Sequence, residues 1–326
     1  MMNPPVSCNT PSGYAELHVV STTLAAQADK AIVSCASLCA AYPEIARYQL
    51  LTDQPAGARW AGLAALPRAQ TVGESEVYSK SAWLARFAAM EHLSPKRALW
   101  YYQQILKLAK LFTLAAELAG RPDADQIGLL IWDADTRIVQ PIPLLDARSG
   151  RSLSYFTGNL QERHEPFYLV NARLAGLPPS IRQPHSNIVQ FAALSVPETM
   201  AFAKFLGLDA SSPDCVDHLA ERIVNVILAV GLTNAALFSE YELIGLFKQE
   251  VLGSRLQRVR FIRVNRRTVS PAQMRIMRLG GIVHFTCEEW FGEPAPMSQL
   301  LLLAHLVQQH VPAVQRLKRL LSLVRA

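Results

Sequence analysis

Residues 127 to 136, Ile-Gly-Leu-Leu-Ile-Trp-Asp-Ala-Asp-Thr, constrain this chain more than any other stretch. Their apolar half follows the turn-prone Arg121-Pro122-Asp123 and reads as a strand buried on both faces, as in the sheet of an α/β protein. Two acids close it. Side chains alternate along a strand, so Asp133 and Asp135 are expected on one side, where their charges repel unless a cation or bound water screens them. Hard carboxylate oxygens suit Mg²⁺ or Mn²⁺, which bridge protein acids to the phosphates of a nucleotide. Taken by itself, the triplet is equally a solvated strand end before a turn.

A chain of 326 residues, 50% of them hydrophobic, can bury one large α/β domain or one domain with a small appendage. Cys8, Cys35, Cys39, Cys215 and Cys287 are odd in number and lack paired C-x-x-C spacing, which argues against a disulfide framework and a thiolate zinc site and fits a reducing cytoplasm. Residues 1–13 hold no basic residue and no apolar segment, so they are expected to be a flexible start rather than a signal peptide. Ile223 to Phe238 is too short and too often interrupted by Asn and Thr to span a bilayer, and reads as a buried helix. The net charge of +6 weakly favours anionic partners.

In chain order, Ala15 to Thr23 reads as a first strand, Ala25 to Tyr42 as a helix, and Tyr48 to Asp53 as a second strand. A βαβ start places Ser21, Thr22, Thr23 and Asp53 at strand ends, where nucleotides bind; capping and turn formation are the ordinary uses of the same residues. No Gly-x-Gly-x-x-Gly or Walker loop follows, against a dinucleotide enzyme or P-loop NTPase. Ser94 and Pro95 open a long helix to Leu118, with Gln103, Lys107 and Lys110 on one polar stripe. Leu153 to Thr157 and His185 to Phe191 read as strands, and His164 to Tyr168 begins a helix. Ser195 with Glu198, and Ser239 with Glu242, have capping-box spacing. Arg255 to Arg267 interleaves arginine with apolar residues but carries no nucleic-acid signature, and reads as a solvated edge strand able to meet phosphate or anionic glycan. Residues 297–326 form a basic amphipathic tail split at Pro312, suited to an anionic bilayer, to the domain itself or to a second subunit.

Several of these segments resemble one family. Asp133-Ala134-Asp135-Thr136, followed by a short β-prone segment and a proline, resembles the metal-binding element of GT-A-fold glycosyltransferases, and the chain resembles a bacterial family of such predicted enzymes with few assigned substrates. The resemblance covers the order of elements from Tyr14 to Phe291 and implies an α/β, GT-A-like nucleotide-diphospho-sugar transferase fold over residues 14–296, a Rossmann-like mixed sheet flanked by helices. It also implies sugar transfer from a nucleotide-diphosphate donor to a glycan or lipid-linked acceptor, dependent on Mn²⁺ or Mg²⁺ at Asp133 and Asp135. Trp100 to Leu108 is similar to the family's aromatic-x-x-Gln-Gln-x-x-Lys helix, placing Gln104 and Lys107 at donor phosphate or sugar. His164-Glu165-Pro166-Phe167 resembles an acceptor element, for which His164 has a suitable side chain. Ser239-Glu240-Tyr241-Glu242 resembles the acid box that faces the acceptor; with Glu242 capping the helix, Glu240 becomes the candidate acceptor ligand or base. Ile282-Val283-His284-Phe285-Thr286 resembles the ending of family-8-like enzymes and makes His284 a candidate third metal ligand, although Cys287-Glu288-Glu289-Trp290 departs from the pattern that follows.

Two rival readings stand beside this one. A haloacid-dehalogenase-like phosphatase also sets aspartates after a buried strand, but normally the first strand and with Thr one residue later. A GT-A-like module without catalysis is the other. The lack of a leader and of a spanning helix leads us to expect a cytoplasmic protein, peripheral at the inner face of the membrane if the tail binds there.

Overall fold

The computed structural model describes residues 10–88, 94–157, 164–178, 185–231, 236–264 and 269–287. The tail at 297–326 and the basic pair Arg266-Arg267 lie outside the described residues. The chain opens with β1 (Glu16–Thr23), α1 (Ala28–Ala41), β2 (Ile45–Thr52) and β3 (Ala69–Gly73), followed by α2 (Glu74–Val77), α3 (Lys80–Phe87) and the long α4 (Pro95–Leu118). Next come β4 (Ile127–Trp132), the short strands β5 (Thr136–Ile138), β6 (Leu145–Asp146), β7 (Arg151–Ser152) and β8 (Ser154–Phe156), and α5 (Glu165–Leu174). The remainder is β9 (Phe191–Ser195), α6 (Val196–Phe205), α7 (Cys215–Val230), α8 (Glu240–Glu250), β10 (Leu256–Arg258), β11 (Phe261–Val264), α9 (Pro271–Leu279) and β12 (His284–Cys287).

The main sheet runs β3-β2-β1-β4-β9. Its first four strands are parallel and β9 is antiparallel to β4, so the expected α/β class with a Rossmann-like mixed sheet is the observed one. β4 sits inside this sheet with all six residues buried. Its side chains alternate between two layers: Ile127, Leu129 and Ile131 join the core built on α4, α6, α7 and α8, while Leu130 and Trp132 join the core built on α1. Gly128 falls on the second side because Tyr14 crosses there; a Cβ would meet the Tyr14 ring at 2.5 Å.

Helix starts follow local chemistry. Ser94 caps α4 by accepting from Arg97 N at 3.3 Å, and Ser195 with Glu198 forms a complete capping box at α6. α7 ends at Gly231 in the left-handed conformation, so Ile223 begins no spanning helix, and no helix among the described residues is long and apolar enough to cross a membrane. The expected flexible start is ordered from residue 10: Ser12 is fully buried, its N–H donating to Glu44 at 2.7 Å and its carbonyl accepting from Leu144 N. The expected strand at His185–Phe191 is largely irregular, with strand geometry starting only at Phe191. Ser186 and Asn187 instead turn to bind Glu242.

Candidate active site

Asp133 is the first residue past β4, and the alternation that sends Ile131 toward α4 sends Asp133 the same way. There it meets an ammonium. Lys107, just over three turns into α4, donates to Asp133 Oδ1 at 2.6 Å and to Glu240 at 2.6 Å, and Tyr241 OH donates to the same Oδ1 at 2.6 Å. The side chains of Lys107 and Glu240 are 7% and 3% exposed, that of Asp133 22%. The Gln-Gln-x-x-Lys helix, Asp133 of the acid pair and the Ser-Glu-Tyr-Glu box thus close on a single point, from positions 134 residues apart in the chain at the extreme.

The electrostatics of this point are unbalanced. Burial works against the Lys107 charge, but Asp133 and Glu240 outweigh it and hold the ammonium protonated. Burial pushes the Glu240 carboxyl up, Lys107 opposes this, and the charge on Asp133 adds to it. Tyr241 is pushed far above the ordinary phenol range by burial and then by Asp133 and Glu240, and the Asp135 charge reaches it as well. One ammonium therefore answers two acids, Asp133 and Glu240. Asp133 Oδ1 takes both protein bonds, which leaves Oδ2 without a partner among the described residues.

Asp135 reaches this field by a route other than the expected one. The strand ends at Trp132 and residues 133–136 form a turn closed by Thr136 N donating to Asp133 O at 2.9 Å, so strand alternation does not set the direction of Asp135. The turn is fastened from below. Ser34 of α1 donates to the Thr136 carbonyl, and Trp132 Nε1 donates to Ser34 Oγ at 3.0 Å and to the Thr136 carbonyl at 3.1 Å.

The remaining candidates fall into separate places. Ser21 lies beneath the site, tying the ends of β1, β2 and β4 together: it donates to Trp132 O at 2.6 Å and pairs with Tyr48 OH at 2.9 Å. Thr22 is buried to 9% exposure and its hydroxyl has no hydrogen-bond partner among the described residues. Asp53 is exposed and accepts from Ala25 N at 2.8 Å, which fixes the turn after β1. Gln104 does not project from α4 but is buried, its carbonyl accepting from Glu240 N at 3.1 Å and its Nε2 left unpartnered. Ser239 caps α8 as expected, whereas the Glu242 carboxylate is held by Ser186 Oγ at 2.6 Å and Asn187 Nδ2 at 2.9 Å. His164 precedes α5, edge-on to Phe167 at 5.1 Å, with its pKa lowered by burial and by Arg263 and Arg97. Arg97 is ten residues before Lys107 on α4, roughly 15 Å along a helix axis, so His164 stands apart from the acid cluster.

His284 opens β12, whose Cys287 N donates to Asp135 O at 2.9 Å, but its ring is enclosed by aromatic side chains. It is fully buried, stacked on Phe261 at 5.0 Å and edge-on to Phe191 at 5.5 Å and Trp132 at 6.0 Å. Burial lowers its pKa to about 3, and neither ring nitrogen has a hydrogen-bonding partner although the Val189 backbone lies near enough to favour the proton slightly. No group of three His, Cys, Asp or Glu side chains placed to hold a metal ion occurs among the described residues.

Two residues at the site carry no sequence signal for their position. Gln190 has φ +66, the one non-glycine with positive φ among the described residues, and its carbonyl accepts from Asp133 N at 3.0 Å. Lys248, about two turns along α8 from the cluster, is buried against Leu153 O at 2.7 Å, and burial lowers its pKa to about 8. Tyr241 lay inside a quoted motif, yet only the fold reveals that its hydroxyl ends on Asp133.

No protein-family model matches the chain, and no curated protein matches it. Among solved structures, an active-site mutant of LgtC aligns with 92% of this chain and 99% of its own at 15% identity and a TM-score of 0.44. The galactosyltransferase LgtC in complex with donor and acceptor sugar analogues aligns over the same shares at 14% identity and a TM-score of 0.43. Similarity of this size identifies neither an activity nor a substrate.

Proposed function

We propose that this chain is a GT-A-like glycosyltransferase that moves a sugar from a nucleotide-diphosphate donor to a glycan or lipid-linked acceptor. The observation that carries the reading is the convergence of three separate motifs on Asp133, at the edge where the parallel strands β1, β2 and β4 end and nucleotides bind in α/β sheets. The donor set fits a hard divalent ion of the Mg²⁺ or Mn²⁺ kind. Asp133 Oδ2 is unclaimed, the cluster has an excess of negative charge, and such ions need only one or two protein carboxylates when phosphates and water complete the shell. Asp133 and Asp135 would hold the ion, which would offset charge on the departing diphosphate. His284 is left out of this set by its aromatic enclosure.

The chain's own groups then divide the work. Lys107 holds Asp133 in place through its ion pair, and acts beneath the donor rather than as a free cation on its phosphates. Tyr241 fixes the same oxygen from α8. Glu240 is buried against Lys107, so it serves as the countercharge of that lysine; proton acceptance from an acceptor hydroxyl would require the pair to open. Thr22 and Asp53 lie on the side of the sheet edge suited to ribose or base, and His164 is assigned to acceptor contact.

A phosphatase of the haloacid-dehalogenase type would use the first strand for its nucleophile, whereas here the acids follow β4. The experiment that tests the proposal is a thermal-shift screen of nucleotide sugars with and without Mn²⁺. One donor raising the melting temperature only with the ion present is the expected result; stabilisation by no donor, or by all equally without metal, overturns it.

A further inference from the structure

Cys35 and Cys39 are one turn apart on α1 with their sulfurs 4.0 Å from each other, a pairing that the odd cysteine count and the lack of C-x-x-C spacing conceal. The two differ in setting. Cys35 is fully buried, whereas Cys39 is half-buried at the surface of the helix. The hydrogen bond shared with Cys35 lowers the Cys39 pKa; burial opposes this, and the Arg68 guanidinium lowers it further. Cys215, by contrast, is buried and pushed up to about 11, and Cys287 is buried in β12. Cys39 is thus the described thiol that combines access with thiolate character.

We propose that Cys35 and Cys39 form an oxidisable dithiol in which Cys39 reacts with peroxide and Cys35 resolves it. The Cys39 thiolate attacks one peroxide oxygen, the O–O bond breaks, hydroxide leaves and takes up a proton, and a sulfenic acid remains. The Cys35 thiol then attacks that sulfur; the S–S bond forms, the S–O bond breaks and water leaves. Two thiols lose two electrons and two protons, and one peroxide becomes two waters.

The helix cannot absorb this without a local change. Residues four apart on a helix keep their Cβ atoms about 5–6 Å apart, whereas a disulfide holds them at roughly 3.5–4.5 Å. Closing the bond therefore tightens α1 next to Ser34, the residue that fastens the Thr136 carbonyl and the Trp132 indole. Tyr48, which pairs with Ser21 beneath the same strand ends, feels the charge of both thiols, each of which raises its pKa. Oxidation at the back of α1 is transmitted to the turn that carries Asp133 and Asp135, and a bond formed under such strain is readily reduced again.

The test treats the full chain with hydrogen peroxide and maps the products by mass spectrometry, alongside Cys39→Ser and Cys35→Ser variants. The expected products are an intramolecular Cys35–Cys39 disulfide formed at least tenfold faster than any change at Cys215 or Cys287, and a dimedone-reactive sulfenic acid at Cys39 in the Cys35→Ser variant. Hydrogen exchange at the Thr136 amide should quicken on oxidation and return with dithiothreitol. Oxidation spread evenly over the thiols, or a disulfide that leaves Thr136 exchange unchanged, overturns the proposal. None of these readouts involves sugar transfer, so they stand or fall separately from the proposed activity.

Discussion

Two clusters of charge sit at opposite edges of the same sheet. At the start of β1, Arg121 forks onto Glu16 at 3.0 and 3.1 Å and onto Asp123 at 2.7 and 2.9 Å, while His18 meets Glu16 at 2.6 Å. At the end of β4, Lys107 is held between Asp133 and Glu240, both at 2.6 Å. The contacts are equally short; the surroundings are not. Arg121, Glu16 and Asp123 are 37%, 24% and 43% exposed, so water does much of the neutralising. Lys107 and Glu240 are almost sealed, and the acids there outnumber the cation. The first cluster has geometry that is complete in itself and ties a turn to a strand. In the second, two acids share one buried lysine just past the end of β4.

The sharpest way to break this comparison is Lys107→Met. Removing one partner from a buried pair leaves Asp133 and Glu240 uncompensated, and a loss of about 3–5 kcal/mol in urea denaturation is expected. Adding Glu240→Gln to that variant should recover part of it, since one stranded charge is gone. His284→Phe is expected to act through pH. The unfolded chain takes up a proton at this position near its ordinary pKa, whereas the folded chain resists until about 3. The native histidine therefore destabilises the fold as pH falls through that window, and the variant should gain on the order of 3 kcal/mol relative to the parent at pH 4 compared with pH 7. Unchanged metal-dependent donor binding in the same variant would agree with its exclusion from the metal site; abolished binding would restore it as a ligand.

Gln190→Gly relieves the positive φ beside Asp133, and a gain of about 1 kcal/mol in thermal unfolding is expected. A loss of stability would mean that the side chain contributes more than its backbone conformation costs. The smallest effect is expected for Arg121→Met: a minor change in midpoint that shrinks further in high salt, because its partners are solvated. An effect matching that of Lys107→Met would erase the distinction between the two edges.

The chain's local grammar carried much of this arrangement. The apolar run ending in Asp-Ala-Asp gave β4 because complete burial on both faces requires it, and Ser94-Pro95 and Ser195 with Glu198 marked helix starts by their hydrogen-bonding chemistry. Lys107, Asp133 and Glu240 could be named singly, but their meeting depends on α4 and α8 packing over one face of the sheet, a matter of tertiary contact. The same packing reassigned Gln104 from ligand contact to the support of α8, and turned Glu242 from a helix cap toward Ser186 and Asn187. His284 illustrates the opposite limit: the short motif was sound as a strand, yet what encloses the ring comes from Phe261, Phe191 and Trp132 on three other parts of the chain. Gln190 had no local signal, because a positive φ at glutamine is imposed by neighbours and opposed by its own preference.

The central claim is that Asp133 and Asp135 hold a cation that in turn holds a diphosphate. Titration of Mn²⁺ followed by the electron paramagnetic resonance of the free ion tests it directly, with the native chain and Asp135→Asn each measured with and without nucleoside diphosphate. The native chain should take up Mn²⁺ at least tenfold more tightly when the diphosphate is present, and the variant should lose that gain while melting as the native chain does. Equal uptake by the two proteins, or diphosphate binding by the native chain that ignores removal of the metal, would contradict the account.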